Sequence, residues 1–152
     1  METNVLSNVL RKELILTGLE AANKDEVFRA IADVFYKEGY ISDADKFVQA
    51  VYDREAEGVT GIGNHVAIPH GKSEVVKQNG VVVATLKNEI EWESLDDTGA
   101  KVVVLFAVGD DSEGAKEHLR MLSMFARNLG KDTVVAKLLD AQTQEDVIKA
   151  FD

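Results

Sequence analysis

Imidazole is the side chain whose charge changes nearest neutral pH, and this sequence has three of them: His65, His70 and His118. Two lie in GIGNHVAIPHGKS, residues 61–73, where the chain's only proline, Pro69, stands directly before His70. Val66, Ala67 and Ile68 read as a short strand that Pro69 ends, so His70 is expected at a strand terminus. Gly61 and Gly63 allow close backbone approach to a ligand, and Gly71 leaves the approach to His70 uncrowded. The stretch lacks the GxxxxGK[ST] spacing of a P-loop and the third glycine of a dinucleotide fingerprint. Two readings stand at this point: a turn that carries imidazoles, or a loop built to present His70.

Arg54 precedes this loop, and a guanidinium there has three uses. It can complement a helix C-terminus, pair with Asp53 or Glu55, or grip a phosphate through two parallel N–H donors. His118 lies on a helical stripe with Ala115, Leu119, Leu122, Phe125, Ala126 and Leu129, near the helix's N-terminal end. It is either a core histidine satisfied by a carbonyl or the polar end of a stripe that lines a pocket. In the second case the positive end of the helix dipole favours an anion nearby. His65, His70 and His118 do not have zinc spacing, and an offset of five along an extended segment sends His65 and His70 to opposite faces. The sequence therefore points to no metal. A serine hydrolase is disfavoured too, because no GxSxG occurs.

The elements that position these residues follow from periodicity. Residues 24–38 read as a helix with Val27, Phe28, Ile31, Val34 and Phe35 inward, Asn23 as N-cap and Gly39 as stop. Ser42 is expected to cap a second helix carrying Phe47, Val48, Val51 and Tyr52. Residues 81–86 and 101–108 are continuous β-branched runs, as strands covered on both faces should be. A third helix spans residues 112–129, with Met121 and Met124 in or beside the core. Asp132 and Thr143 are expected to cap two short closing helices. Helices alternating with buried strands predict an α/β fold, a single layered domain over residues 1–152 with helices flanking a sheet.

Composition narrows the function classes. The chain has 152 residues, 45% hydrophobic and 29% charged, with a net charge of −10 and no cysteine. Thiol catalysis, disulfides and thiolate metal sites are excluded for these residues. An acidic chain without a basic stripe is a poor nucleic-acid binder. No apolar run is long enough to span a bilayer, and the opening METNVLSNVLRKE lacks the basic and apolar regions of a signal peptide. A cytoplasmic location without membrane insertion is the expectation.

The stretch DREAEGVTGIGNHVAIPHG, residues 53–71, resembles the phosphoacceptor segment of the fructose/mannitol-type enzyme IIA domains of the bacterial sugar phosphotransferase system. The shared features are the Arg54–Glu55 pair, the run from Thr60 to His70, and His118–Leu119 with Leu122. LILTGLEAANKDEVFRAIADVF and TQEDVIKAF are also similar, so the likeness covers nearly the whole chain. It implies a mixed sheet flanked by helices, with no cofactor and no metal for the chemical step. His70 would take a phosphoryl group from the phosphohistidine of the carrier HPr and pass it to a IIB component, usually to a cysteine. Arg54 would neutralise the phosphate and His118 would hydrogen-bond it. The IIB and membrane IIC components would be separate chains, and the acidic balance suits docking onto a basic carrier face. Residues 89–108 look more like the fructose-type transport pattern, and the alternative is a nitrogen-type regulatory module that controls other proteins through its phosphorylation state. One departure is His65, where that family often has glycine.

Overall fold

A computed structural model describes residues 10–151. Residues 1–9, which hold most of the segment read for a signal peptide, and Asp152 lie outside the described residues. After a short 3₁₀ turn at Lys12–Leu14 the elements are β1 (Ile15–Leu19), α1 (Lys24–Lys37), α2 (Ala44–Glu55), β2 (Gly61–Gly63), β3 (Val66–Ala67) and β4 (His70–Ser73). Then follow β5 (Gly80–Ile90), β6 (Ala100–Gly109), α3 (Ser112–Leu129), α4 (Asp132–Asp140) and α5 (Gln144–Ala150).

Six strands form one mixed sheet in the order β1-β5-β6-β3-β2, with β4 also pairing β6. β5 and β6 run antiparallel, while β1 is parallel to β5 and both β3 and β4 are parallel to β6. The continuous apolar runs are explained by burial on both faces. Side chains alternate across a strand, so one run supplies two cores. Val82, Ala84, Val103, Leu105 and Ala107 face α1 and α2, packing with Phe28, Ile31, Phe35 and Phe47. Val81, Val83, Val102, Val104, Phe106 and Val108 face α3, α4 and α5, packing with Phe125, Leu138, Val147 and Phe151. The α/β fold with a mixed sheet flanked by helices stands as expected.

The caps differ in detail from expectation. Asn23 accepts from the Glu26 N–H, and Thr143 forms a full capping box with Asp146, as the sequence indicates. Asp43, not Ser42, caps α2 by accepting from the Lys46 N–H; Ser42 instead bonds the Val75 carbonyl. Asp132 is the first residue of α4, and its N-cap is Lys131, without a side-chain bond. β1 and β4 have no clear signature of their own: β1 contains Gly18 at φ 63°, and HGKS has no apolar residue.

The edge beside β6 positions the candidate site. β3 pairs Ala67 with Val103, the ladder lapses at Ile68–Pro69, and β4 resumes in the same register with His70 opposite Phe106. Pro69 has no N–H to give, but its carbonyl accepts from the Phe106 N–H at 3.1 Å, and Ile68 bonds outward to the Thr60 carbonyl. Pro69 thus interrupts the strand without ending it, so His70 opens a new strand and does not close the old one. Gly71 is buried against α2: a Cβ there would lie 2.8 Å from Val51 Cγ2 and 3.0 Å from Phe47 Cε1. Its role is to let β4 lie close to α2, not to clear space around His70. Gly71→Ala should therefore overpack this contact and lower stability by roughly 1–3 kcal/mol. Gly58→Ala, at a site with nothing within 4 Å of the added carbon, should stay within about 0.5 kcal/mol. Urea denaturation of both variants checks the contrast.

Candidate active site

His70 and His118 meet. Their ring centroids are 4.8 Å apart at 42°, and Phe106 stands edge-on to His118 at 5.3 Å. Alternation puts His70 and Phe106 on the α3 side of the sheet, and the second turn of α3 brings His118 above them. Asn79 fixes the start of that helix: its Oδ1 accepts from the Gly109 N–H at 2.8 Å, and its Nδ2 donates to the Gly114 carbonyl at 2.9 Å. Asn79 was not singled out from the sequence, and an asparagine before a strand carries no signal of such a clamp.

The inward stripe of α3 is rotated from the one expected. His118 and Phe125 are on it, joined by Met121, which is buried, while Leu119 is 64% exposed and Ala126 faces outward. His118 is the polar end of this stripe. At the start of this helix Asp111 acts as N-cap, its Oδ1 accepting from the Gly114 N–H at 2.7 Å.

Both rings have Nδ1 buried without a hydrogen-bond partner. A buried polar atom without a partner is costly, and it usually marks a functional requirement. With Nδ1 sealed, Nε2 is the nitrogen of each ring that another molecule can reach. Desolvation is the largest influence on both rings and disfavours their protonated forms. It lowers the His70 pKa, helped by the Arg54 charge and opposed by the Ile68 carbonyl. It pushes His118 down to about 4, with smaller contributions from His70 and Lys72. Two neutral imidazoles therefore sit side by side at neutral pH.

Arg54, in the last turn of α2, makes one hydrogen bond, from Nη1 to the Gly58 carbonyl at 3.2 Å. Its acidic neighbours are engaged elsewhere. Asp53 accepts from Gln49, while Glu55 accepts from Lys24 Nζ at 2.7 Å and from Thr60 Oγ1 at 2.6 Å. Thr60 in turn accepts from the buried Trp92 Nε1 at 3.0 Å. This network holds the α2–β2 connection in place and leaves Arg54 without a carboxylate partner among the described residues, while its charge acts on His70. Of the three uses open to Arg54, the ion pair with Asp53 or Glu55 does not form.

His65 is not part of this group. Its Nδ1 meets Glu89 Oε1 at 2.5 Å, and its carbonyl accepts from Lys101 and Val102. Gly63, Asn64 and His65 have φ of 94°, 58° and 69°, so His65 occupies a left-handed position that favours glycine. Gly61 packs against another segment and not a ligand: a Cβ there would fall 2.5 Å from the Glu93 carbonyl oxygen.

The depressed imidazole pKa values have a consequence for stability. Unfolded histidine takes up a proton near pH 6.5, whereas folded His118 does so only near 4. Across that window the unfolded state binds more protons, so stability is full above about pH 6.5 and falls as the pH drops towards about 4. Urea unfolding at about pH 7 and about pH 5 should show this loss, and His118→Gln should show a smaller one. Equal losses in the two proteins would contradict the burial of a neutral His118.

The sequence profile described as "Phosphoenolpyruvate-dependent sugar phosphotransferase system, EIIA 2" matches residues 8–152. A fructose-specific EIIA component of Haloferax volcanii is 30% identical over 147 residues, covering 97% of this chain and 94% of that protein. The nitrogen regulatory protein of Klebsiella oxytoca is 34% identical over 144 residues, covering 93% and 86%. The 2-O-alpha-mannosyl-D-glycerate-specific EIIABC component of Escherichia coli is 27% identical, and there the matched 97% of this chain spans only 22% of the relative's length. Among solved structures, nitrogen regulatory protein IIA-Ntr of Neisseria meningitidis superposes with a TM-score of 0.86 at 22% identity, covering 97% of this chain and 99% of that one; this likeness speaks to the fold. The enzyme IIA mannitol complex with phosphorylated enzyme IIB mannitol from Escherichia coli gives 0.79 at 25% identity, covering 93% and 96%. The chain belongs to the EIIA 2 family of the phosphoenolpyruvate-dependent sugar phosphotransferase system.

Proposed function

We propose that this chain is a phosphoryl carrier that receives a phosphoryl group from the phosphohistidine of HPr on His70 and hands it to a IIB component, with a membrane IIC component completing sugar uptake. Residues 1–152 act as one domain in this reading, and the fructose-type pattern of residues 89–108 favours fructose-type transport. The observation that carries it is the pair of half-buried, unpartnered imidazoles beside an arginine whose acidic neighbours are engaged elsewhere. No helix among the described residues is long and apolar enough to cross a membrane.

The chemistry follows from the sealed Nδ1. His70 keeps a proton on Nδ1 and offers the Nε2 lone pair, which attacks the phosphorus as the donor's P–N bond breaks. The electron pair of that bond returns to the donor imidazole, which leaves as a neutral ring when its other nitrogen carries a proton, while His70 becomes an N-phosphoimidazolium; no proton then has to pass between the rings. Phosphoryl transfer asks mainly for in-line placement and for positive charge around the equatorial oxygens. Arg54 supplies charge on the His70 side, and His118 donates from Nε2 to a phosphoryl oxygen. The reverse geometry serves handover to the IIB component.

The 34% identity to a nitrogen regulatory protein favours a second reading, in which the same phosphorylation controls other proteins. Phosphorylation by phosphoenolpyruvate, enzyme I and HPr, followed by intact mass, tests the shared chemistry. One acid-labile phosphoryl group is expected on the wild type, none on His70→Ala, and uptake slowed by roughly 10- to 100-fold in His118→Ala. Transfer onward to a IIB component then separates transport from regulation. A His70→Ala variant that still takes up the group would contradict the assignment.

A further inference from the structure

Lys72 is the one residue beside the imidazole pair that neither the sequence motif nor the arginine-histidine geometry accounts for. It lies two residues beyond His70 on β4, and in a strand that spacing returns the side chain to the same face. The other face is closed, since Gly71 between them is pressed against Val51 and Phe47 of α2. Lys72 therefore projects on the α3 side, opposite Val108, roughly 6–7 Å along the strand from His70. It is exposed, and among the described residues its side chain makes no ion pair or hydrogen bond. Its charge acts on His118, whereas the charge of Arg54 acts on His70. Two cations thus approach the two rings from different layers, Arg54 from α2 and Lys72 from the sheet.

The surroundings show why a cation is needed on that side. Beyond the Ser73–Gly109 end of the β4–β6 pair, Glu74, Asp110, Asp111, Glu113 and Glu117 line one cleft with a single cation, Lys77, among them. An incoming phosphoryl group carries negative charge, and this acidic rim opposes it from the side that Arg54 does not cover. Lysine suits the position because its ammonium is a mobile point charge on a long stem, able to follow oxygens that move between donor and acceptor.

We propose that Lys72 is a second phosphoryl-binding cation, which contacts the equatorial oxygens on the His118 side while Arg54 contacts them on the other. This rests on the phosphocarrier reading. In the transfer, His70 Nε2 forms the new P–N bond as the donor's P–N bond breaks and its electron pair returns to the donor ring. Lys72 exchanges no proton; it stays an ammonium and offsets the charge spread over the three oxygens.

The test uses the whole chain as wild type, Lys72→Gln and Lys72→Arg, with phospho-HPr as donor in single-turnover transfer, and phosphorus NMR of the phosphorylated proteins across pH. Lys72→Gln should slow uptake roughly 10- to 100-fold, and its bound phosphoryl group should take up its proton at higher pH than in the wild type. Lys72→Arg, which keeps the charge, should stay within about threefold of the wild-type rate. An unchanged rate in Lys72→Gln overturns the proposal. So does a slowed rate with an unchanged phosphoryl titration, since Lys72 would then serve docking and not the phosphoryl group. A wild type that takes up no phosphoryl group from active phospho-HPr overturns the carrier reading itself, and this role with it.

Discussion

The site depends on the pairing of one strand with two short ones. β6 carries β3 and then β4 along the same edge, in one register, across the gap at Ile68–Pro69. Register fixes which face each side chain takes, and a slip of one residue would turn His70 towards α2 and Gly71 towards α3. The slip is prevented from both sides. Gly71 fits only where Phe47 and Val51 leave no room for a Cβ, and Phe106 fits only among Phe125 and His118. Core packing thus places His70, and the rim of the sheet is where it becomes reachable.

Electrostatics at the site is a competition between burial and nearby charge. For His70 and His118, burial dominates and keeps both rings neutral, although the chain as a whole carries a charge of −10. A neutral ring is the form with a lone pair to give, and with Nδ1 sealed that lone pair is available at Nε2 in the proposed role. Positive charge is then supplied by residues not neutralised by the abundant carboxylates. Among the described residues Arg54 has no carboxylate partner, because Lys24, thirty-one residues before Glu55 in the chain, holds that carboxylate.

Much of this was legible in the sequence. The runs at residues 81–86 and 101–108 announce buried strands because only a sheet covered on both faces tolerates them, and the helices follow from their apolar spacing. The conjunction of His70, Arg54 and His118 was legible through family resemblance, not through spacing. What was hidden has physical reasons. β4 contains no apolar residue, and its existence depends on backbone pairing with β6, so Lys72 could not be placed on the face of His70. Leu119 was expected inward because a helical stripe read from sequence is uncertain by about one position, and His118 with Met121 takes the inward place. The Ser42 cap failed because Ser42 bonds Val75, leaving Asp43 to cap. His65, which stands where the family often has glycine, was expected on the opposite face from His70, and a left-handed turn sends its side chain to Glu89.

The central claim is that burial of Nδ1 leaves Nε2 of His70 as the nucleophile. Long-range proton–nitrogen–phosphorus NMR on the phosphorylated protein tests it directly. The account predicts phosphorus bonded to Nε2 of His70, with the proton retained on Nδ1 and His118 free of phosphorus. Phosphorus on Nδ1, or on His118, would contradict it.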